Sequence, residues 1–283
     1  TRLKRDHTKI RDRYGLDTAL GMRRTDVEEA AAAREIPLEA MIEREPVTVI
    51  LSQRGWVRAM RGHVELGAAE TLKFKEGDGP LFAFHAQTTD KLLLVTDGGR
   101  VHTLGADRLP GGRGFGEPVR LMADVEGEAG IIALLPAGSA TKLLLVASDG
   151  RGFIAPTAEI AAETRKGRQV VNVRADARLR VVRPIAADDD YVAIIGDNRK
   201  LVVFPLDELP EMTRGQGVQL QKYRDGGMAD AITFRFERGL SWPMGGDTGR
   251  TRTEPDMAAW RVARGATGRM PPVGFPRSNR FEG

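Results

Sequence analysis

LLLVTDGGRVHTL at residues 92–104 returns as LLLVASDGRGFIA at 143–155. In each copy a leucine- and valine-rich run meets a tight Asp-Gly turn and continues into a second β-rich run, the sequence form of a hairpin. Three further stretches share the pattern: VTVILSQRGWVRAM (47–60), VAIIGDNRKLVVF (192–204) and, more weakly, LSWPMGGDTGRTRT (240–253). Aligned on the turn, Gln53, Asp97, Asp149, Asp197 and Asp247 are equivalent, at spacings of 44, 52, 48 and 50 residues. A period of that size with strand pairs and glycine-punctuated loops describes a propeller. One small sheet cannot bury both faces alone, and stacking sheets about an axis gives a continuous core. A sandwich of unrelated hairpins is the competing architecture.

A second signal runs in phase with the first. Arg113–Gly114, Lys166–Gly167, Arg214–Gly215 and Arg264–Gly265 each lie 16 or 17 residues beyond a turn. The stretch TRGQGVQLQKY (213–223) could be mistaken for a phosphate-cradling nucleotide loop, but such a loop follows a buried strand and opens a helix. Here LDELPEM precedes it. Four sister copies argue for a repeated connector instead, since a nucleotide site is expected once per chain.

Composition narrows the class. The 283 residues are 41% hydrophobic and 29% charged, enough to bury one large all-β domain or two ordinary ones. Cysteine is absent, which excludes disulfides and thiolate chemistry and suits a reducing cytosol. No window reads as a membrane span, and TRLKRDHTKI has no apolar signal core. The chain starts on Thr1, from which we expect a piece of a longer protein. Net charge is +4, and the positive charge concentrates in 163–183, 212–224 and 248–283, while 184–211 is acidic.

Residues 1–45 are rich in helix formers, and Thr25 with Glu28 has capping-box spacing; two helical pieces broken around Tyr14–Gly21 and a connector are expected there. The β pattern fills 46–283. His7, His63, His85 and His102 are scattered without metal-ligand spacing, and Asp188, Asp189 and Asp190 read as a solvated turn before a strand. No Walker A, G-x-S-x-G or H-E-x-x-H occurs, so neither catalytic nor metal residues are assigned.

The functional signal is basic. Arginines and lysines in glycine-rich connectors can present cations and backbone N–H groups to phosphates without reading bases. A propeller would carry such copies around its perimeter as a curved positive track suited to bent duplex DNA. The candidate contacts are Arg54, Arg58, Arg61, Arg113, Arg120, Arg165, Lys166, Arg168, Arg214, Lys222, Arg224, Arg264 and Arg269. Phe115, Tyr223 and Trp260 are read as packing residues rather than base-stacking ones. The tail GRMPPVGFPRSNRFEG is either a DNA-contacting arm or a strap over the last blade. A protein-docking module using the acidic, apolar surface around 184–211 is the alternative function.

EPVTVILSQRGWVRAMRGH (45–63), LPGGRGFGEPVRL (109–121) and LPEMTRGQGVQLQKY (209–223) closely resemble the C-terminal domain of the A subunit of bacterial DNA topoisomerase IV, and GMRRTDVEEA (21–30) looks like the end of that protein's helical core. The resemblance implies a β-pinwheel of about five blades, a propeller-like ring, open or closed, that exchanges hairpins between neighbours and binds and bends duplex DNA on a basic outer rim. It implies a domain without bond chemistry or cofactor of its own. In the full protein it would support ATP- and magnesium-dependent decatenation and supercoil relaxation, with the B subunit completing a heterotetramer on the nucleoid in the cytoplasm and no membrane involved. Arg13–Tyr14 lacks the surroundings of the family's DNA-breaking tyrosine. The related gyrase domain carries a Gln-Arg-Arg-Gly-Gly-Lys-Gly box, whereas the nearest segments here are GGRGFGE, TRKGRQV, TRGQGVQ and ARGATGR. Weaker, less chiral wrapping than in gyrase is therefore expected.

Overall fold

A computed structural model describes residues 1–22, 42–67, 72–244 and 250–282. Contacts divide the chain into units 1–41 and 42–283. In the first unit, α1 (Arg2–Tyr14) buries none of its residues and ends where Gly15 N donates to Arg11 O at 2.7 Å. The Thr25–Glu28 capping box and the second helical piece lie outside the described residues, as does the turn at Asp247.

The second unit repeats one sheet. Hairpins form from β1 (Pro46–Ser52) and β2 (Trp56–Arg61), β4 (Lys91–Thr96) and β5 (Arg100–Gly105), β8 (Lys142–Ala147) and β9 (Arg151–Pro156), and β12 (Tyr191–Gly196) and β13 (Leu201–Pro205). A third strand pairs antiparallel with the first of each hairpin: β3 (Pro80–Gln87), β7 (Ile131–Pro136), β11 (Leu179–Pro184) and β15 (Met228–Phe234). A short fourth strand pairs with the second, and it arrives from beyond the next hairpin. These are β6 (Glu117–Pro118), β10 (Arg168–Gln169) and β14 (Val218–Gln219). Around β13 its place is taken by the bridges of Val203 to Arg261 and of Leu201 to Arg269. The fifth hairpin, β16 (Leu240–Pro243) and β17 (Thr251–Glu254), forms a two-stranded sheet. Each of the first four sheets is thus completed by chain that follows the next hairpin, which is the exchanged, pinwheel arrangement.

The LLLV runs have a direct cause here. Leu92 and Leu94 face the first sheet, Leu93 and Val95 the third, and all four are 0% exposed. The next copies alternate the same way: Leu143 and Leu145 face backwards while Leu144 and Val146 face forwards. A strand buried on both faces loses the polar alternation of a half-exposed one. Each such side chain contributes about 1.5–3 kcal/mol.

The hairpin turns share one geometry, with a left-handed residue at the last position: Gly55, Gly99, Gly150 and Arg199, at φ of 79°, 80°, 77° and 59°. This is the three-residue type with a bulge. It also shifts one equivalence: Ser148, not Asp149, occupies the position of Asp97 and Asp197, because the closing bonds run from Gly99 to Thr96, Gly150 to Ala147 and Arg199 to Gly196. Arg199 accepts a conformation that suits glycine because its guanidinium donates to Pro276 O and Asn279 Oδ1, both at 3.0 Å. With Phe275 and Phe281 buried beside Trp242, the C-terminal tail is a strap over the fourth and fifth sheets.

Candidate nucleic-acid interface

Third strands of consecutive sheets touch one another, β3 to β7, β7 to β11 and β11 to β15. They mark the axial side. The fourth strands close the opposite edge of each sheet, so the connectors leading into them run along the perimeter.

Each connector first meets the second strand of the preceding sheet, through the bridges of Ala59 to Gly111, Ile154 to Glu211 and Val203 to Arg261, or through Ala162 N donating to Thr103 Oγ1 at 2.8 Å. It then bends into the fourth strand at a left-handed glycine: Gly116, Gly167, Gly217 or Gly268. Gly217 shows why. At φ 71°, a Cβ there would lie 2.2 Å from Gly152 O.

This register re-aligns the basic-glycine copies. Arg113 and Arg214 both stand four residues before a fourth strand, where the second connector has Thr164, whereas Lys166 stands two before, with Phe115 and Gln216. A shared offset from the turn therefore hid unequal positions. What recurs is a basic residue somewhere on each connector.

The candidate cations divide by partner. Arg61, Arg113, Lys166, Arg214, Lys222, Arg224 and Arg269 are exposed, and their side chains have no hydrogen-bond or ion-pair partner among the described residues. Others are held by backbone carbonyls, Arg165 and Arg168 by tying the second connector. Arg54 Nη1 donates to Glu76 O, Arg120 to Gly127 O and Ala129 O, Arg165 to Leu121 O, and Arg168 to Glu159 O. These four remain exposed. Arg264 is half-buried: it donates to Gln219 O at 2.9 Å while its Nε is buried without a partner.

Arg58 departs from the rim expectation altogether. It is 5% exposed, donates to Gly114 O and Lys73 O, and stacks its guanidinium over Phe74 at 5.2 Å. Burial pulls its pKa below the ordinary arginine value. Its guanidinium ties the first connector, through Gly114 O, to the segment between β2 and β3, through Lys73 O and Phe74, so it is a structural arginine.

Sequence reasoning missed other braces. Arg100 donates to Lys166 O at 3.1 Å and Arg151 to Gly217 O at 3.3 Å, the same service on consecutive sheets. His102 Nδ1 lies 3.1 Å from Arg165 O, and Nε2 is buried without a partner; burial pulls its pKa below the usual value. A residue at the start or middle of a β run gives no signal of this role until the connector lies on it.

The positive count in 163–183 also splits. Arg174, Arg178 and Arg180 lie 3.8, 3.8 and 3.9 Å from Asp149, Asp97 and Asp197, the turn carboxylates of three sheets. Arg183 pairs with buried Asp230 at 3.2 Å. Tyr223 packs between Gly150 and Gly196 with its OH on Gln221, and Trp260 donates to Met270 O. Burial pushes the Tyr223 phenol up. Phe115, expected to pack, is 44% exposed.

Residues 141–186 and 190–232 match the family described as DNA gyrase C-terminal domain, beta-propeller. Over 280 residues the chain is 39% identical to the A subunit of DNA topoisomerase 4 from Rickettsia bellii, covering 99% of this chain and 37% of that protein. Against the corresponding protein from Caulobacter vibrioides it is 44% identical over 245 residues, covering 86% of this chain and 31% of that one. The fold is shared with the solved C-terminal domain of ParC from E. coli, at a TM-score of 0.71 and 24% identity over 82% of this chain and 96% of that one. The chain spans about a third of the length of these curated relatives.

Proposed function

We propose, for a chain that belongs to the family of DNA topoisomerase 4 A subunits as its C-terminal domain, that its outer rim binds and bends duplex DNA through the phosphate backbone. One observation carries this: cations without a partner among the described residues recur on three successive perimeter connectors, at Arg113, Lys166 and Arg214, and at Arg269 in the fourth-strand place of the next sheet. Cations spread along a curved edge attract phosphates without regard to sequence, and they favour a duplex bent to follow them. Arg61, Lys222 and Arg224 extend the track.

Within the full-length protein this domain would engage DNA beside an ATP-hydrolysing type IIA core that decatenates chromosomes and relaxes supercoils. ATP, magnesium, the DNA-breaking tyrosine and the surfaces that meet the B subunit would belong to other parts of that cytoplasmic, nucleoid-bound enzyme. Among the described residues no group of three His, Asp or Glu could hold a metal, and no helix is long and apolar enough to cross a membrane.

Binding to generic duplex at two salt concentrations tests the reading. Replacing Arg214 and Lys222 by Ala should weaken binding uniformly across sequences and lower the salt slope by roughly 0.9 per phosphate no longer neutralised. An unchanged slope removes this segment from the interface. Ligation of nicked circles should show weak writhe; strong positive writhe would contradict the modest wrapping inferred from the absent gyrase box.

A second reading, docking of a protein partner, is favoured by a cavity of about 760 Å³ between the third and fourth sheets, where Ile185, Tyr191 and Leu206 lie among four carboxylates, Asp189, Asp190, Asp207 and Glu211, and two cations, Lys142 and Arg261. Such a lining suits a cationic peptide with an apolar tip. Partner binding that survives the Arg214 and Lys222 replacements would support it.

A further inference from the structure

The first connector carries an aromatic ring where its equivalents carry polar side chains. Phe115 stands where the next two connectors carry Lys166 and Gln216. The fold accepts polar side chains there, so packing does not demand the ring. Nor is the ring hidden: it is 44% exposed, between Gly114 and Gly116, both left-handed at φ 81° and 84°. Nothing lies within 4 Å of a Cβ built on Gly114, although Gly114 O accepts from Arg58 on β2, so the loop is tied to the sheet by its backbone and open on its outer side.

The loop that carries the ring borders two cavities, one basic and one largely apolar. On one side of the loop is a cavity of about 670 Å³ whose lining includes Arg61, Arg113, the backbones of Gly111 and Gly112, and one carboxylate, Glu117. On the other, Phe115 itself lines a cavity of about 250 Å³ with Met60, Leu72 and Lys73. Arg61 and Arg113 have no partner among the described residues. Glu117 at the cavity edge would steer a phosphate towards the two arginines.

Resting on the DNA reading above, we propose that Phe115 is a wedge that inserts between base pairs of the bound duplex and kinks it, with Arg61 and Arg113 holding the flanking phosphates. An intact duplex shows no base faces, so an exposed ring among unpaired cations gains contact by opening a step. Apolar side chains delivered this way unstack one step and turn a smooth bend into a kink. Flexible pyrimidine–purine steps open most easily. A kink at the first connector would aim the duplex along the cations of the next three.

The test uses the 283-residue chain and a duplex carrying 2-aminopurine beside a central TA step, with donor and acceptor dyes at its ends. Wild-type binding should raise the 2-aminopurine fluorescence and shorten the end-to-end distance. Phe115→Gln, which copies Gln216, should still bind with the same salt slope, leave the fluorescence at its free-duplex value and bend less. Phe115→Leu should restore part of both signals. The double variant Arg61→Ala/Arg113→Ala should instead lower the salt slope, by roughly 0.9 for each phosphate released. If wild type binds without a fluorescence rise, or Phe115→Gln matches wild type in fluorescence and bend, the wedge is wrong while the rim stands; a ring serving a protein partner would give that result. Absence of salt-dependent duplex binding by wild type would overturn the rim reading itself.

Discussion

Two regions of this chain are both basic in sequence and electrostatically opposite in the fold. On and beside the perimeter connectors, Arg113, Lys166, Arg214 and Arg269 stand exposed without partners among the described residues. Along RADARLR (174–180), each arginine lies within 4 Å of a turn aspartate belonging to a different sheet. A cation beside a carboxylate projects little field beyond it, and half-exposed pairs of this sort stabilise by only about 0–1 kcal/mol. Positive charge becomes a binding surface where the fold withholds the counter-charge.

The largest expected effect tests whether the connectors are fixed in place. Gly217→Ala would force a Cβ onto Gly152 O in a left-handed backbone and should cost about 3 kcal/mol in a denaturant melt. A neutral result would mean that the connector can lift off its sheet, and the rim would not be a fixed surface. Next, Arg113→Ala, Arg214→Ala and Arg269→Ala combined should lower the salt slope of duplex binding by roughly 2.7. Replacing Arg174, Arg178 and Arg180 together should leave that slope nearly unchanged and cost about 1 kcal/mol or less per pair in stability. Equal slopes for the two triples would erase the distinction between the regions.

The smallest effect sharpens it. His102 braces the second connector through Arg165 O and has Arg100, Asp124 and Glu126 around it. Because its folded pKa is lowered, its contribution to stability is complete above the unfolded value of about 6.5 and is lost as pH falls through the window beneath it. Thermal melts should therefore drop below that pH, and His102→Gln should flatten this limb. Identical limbs for the two proteins would show that the connector does not depend on a neutral imidazole.

Much of the fold was legible because its causes are local. A run such as Leu92–Val95 announces a strand buried on both faces, and Gly99 or Gly150 announces the turn after it. The exchanged fourth strand was not legible as pairing: Glu117–Pro118 and Val218–Gln219 are too short to show a period, and their partners lie some 60 residues away. Arg58, within the β run WVRAMR, and Arg113, within the loop GGRGFG, both count as rim cations by charge, yet one is a buried brace and the other an open cation.

By itself, the sequence determined the repeat, the hairpins, the family resemblance and the presence of a basic residue on each connector. All of these follow from periodicity and residue type within a few positions. Only the tertiary structure decided which arginines are free, that Lys166 is out of step with Arg113 and Arg214, that the tail is a strap, and that Phe115 stands exposed. Each of those facts depends on what a distant stretch of chain brings against the side chain, and no local pattern encodes a partner that arrives from another sheet.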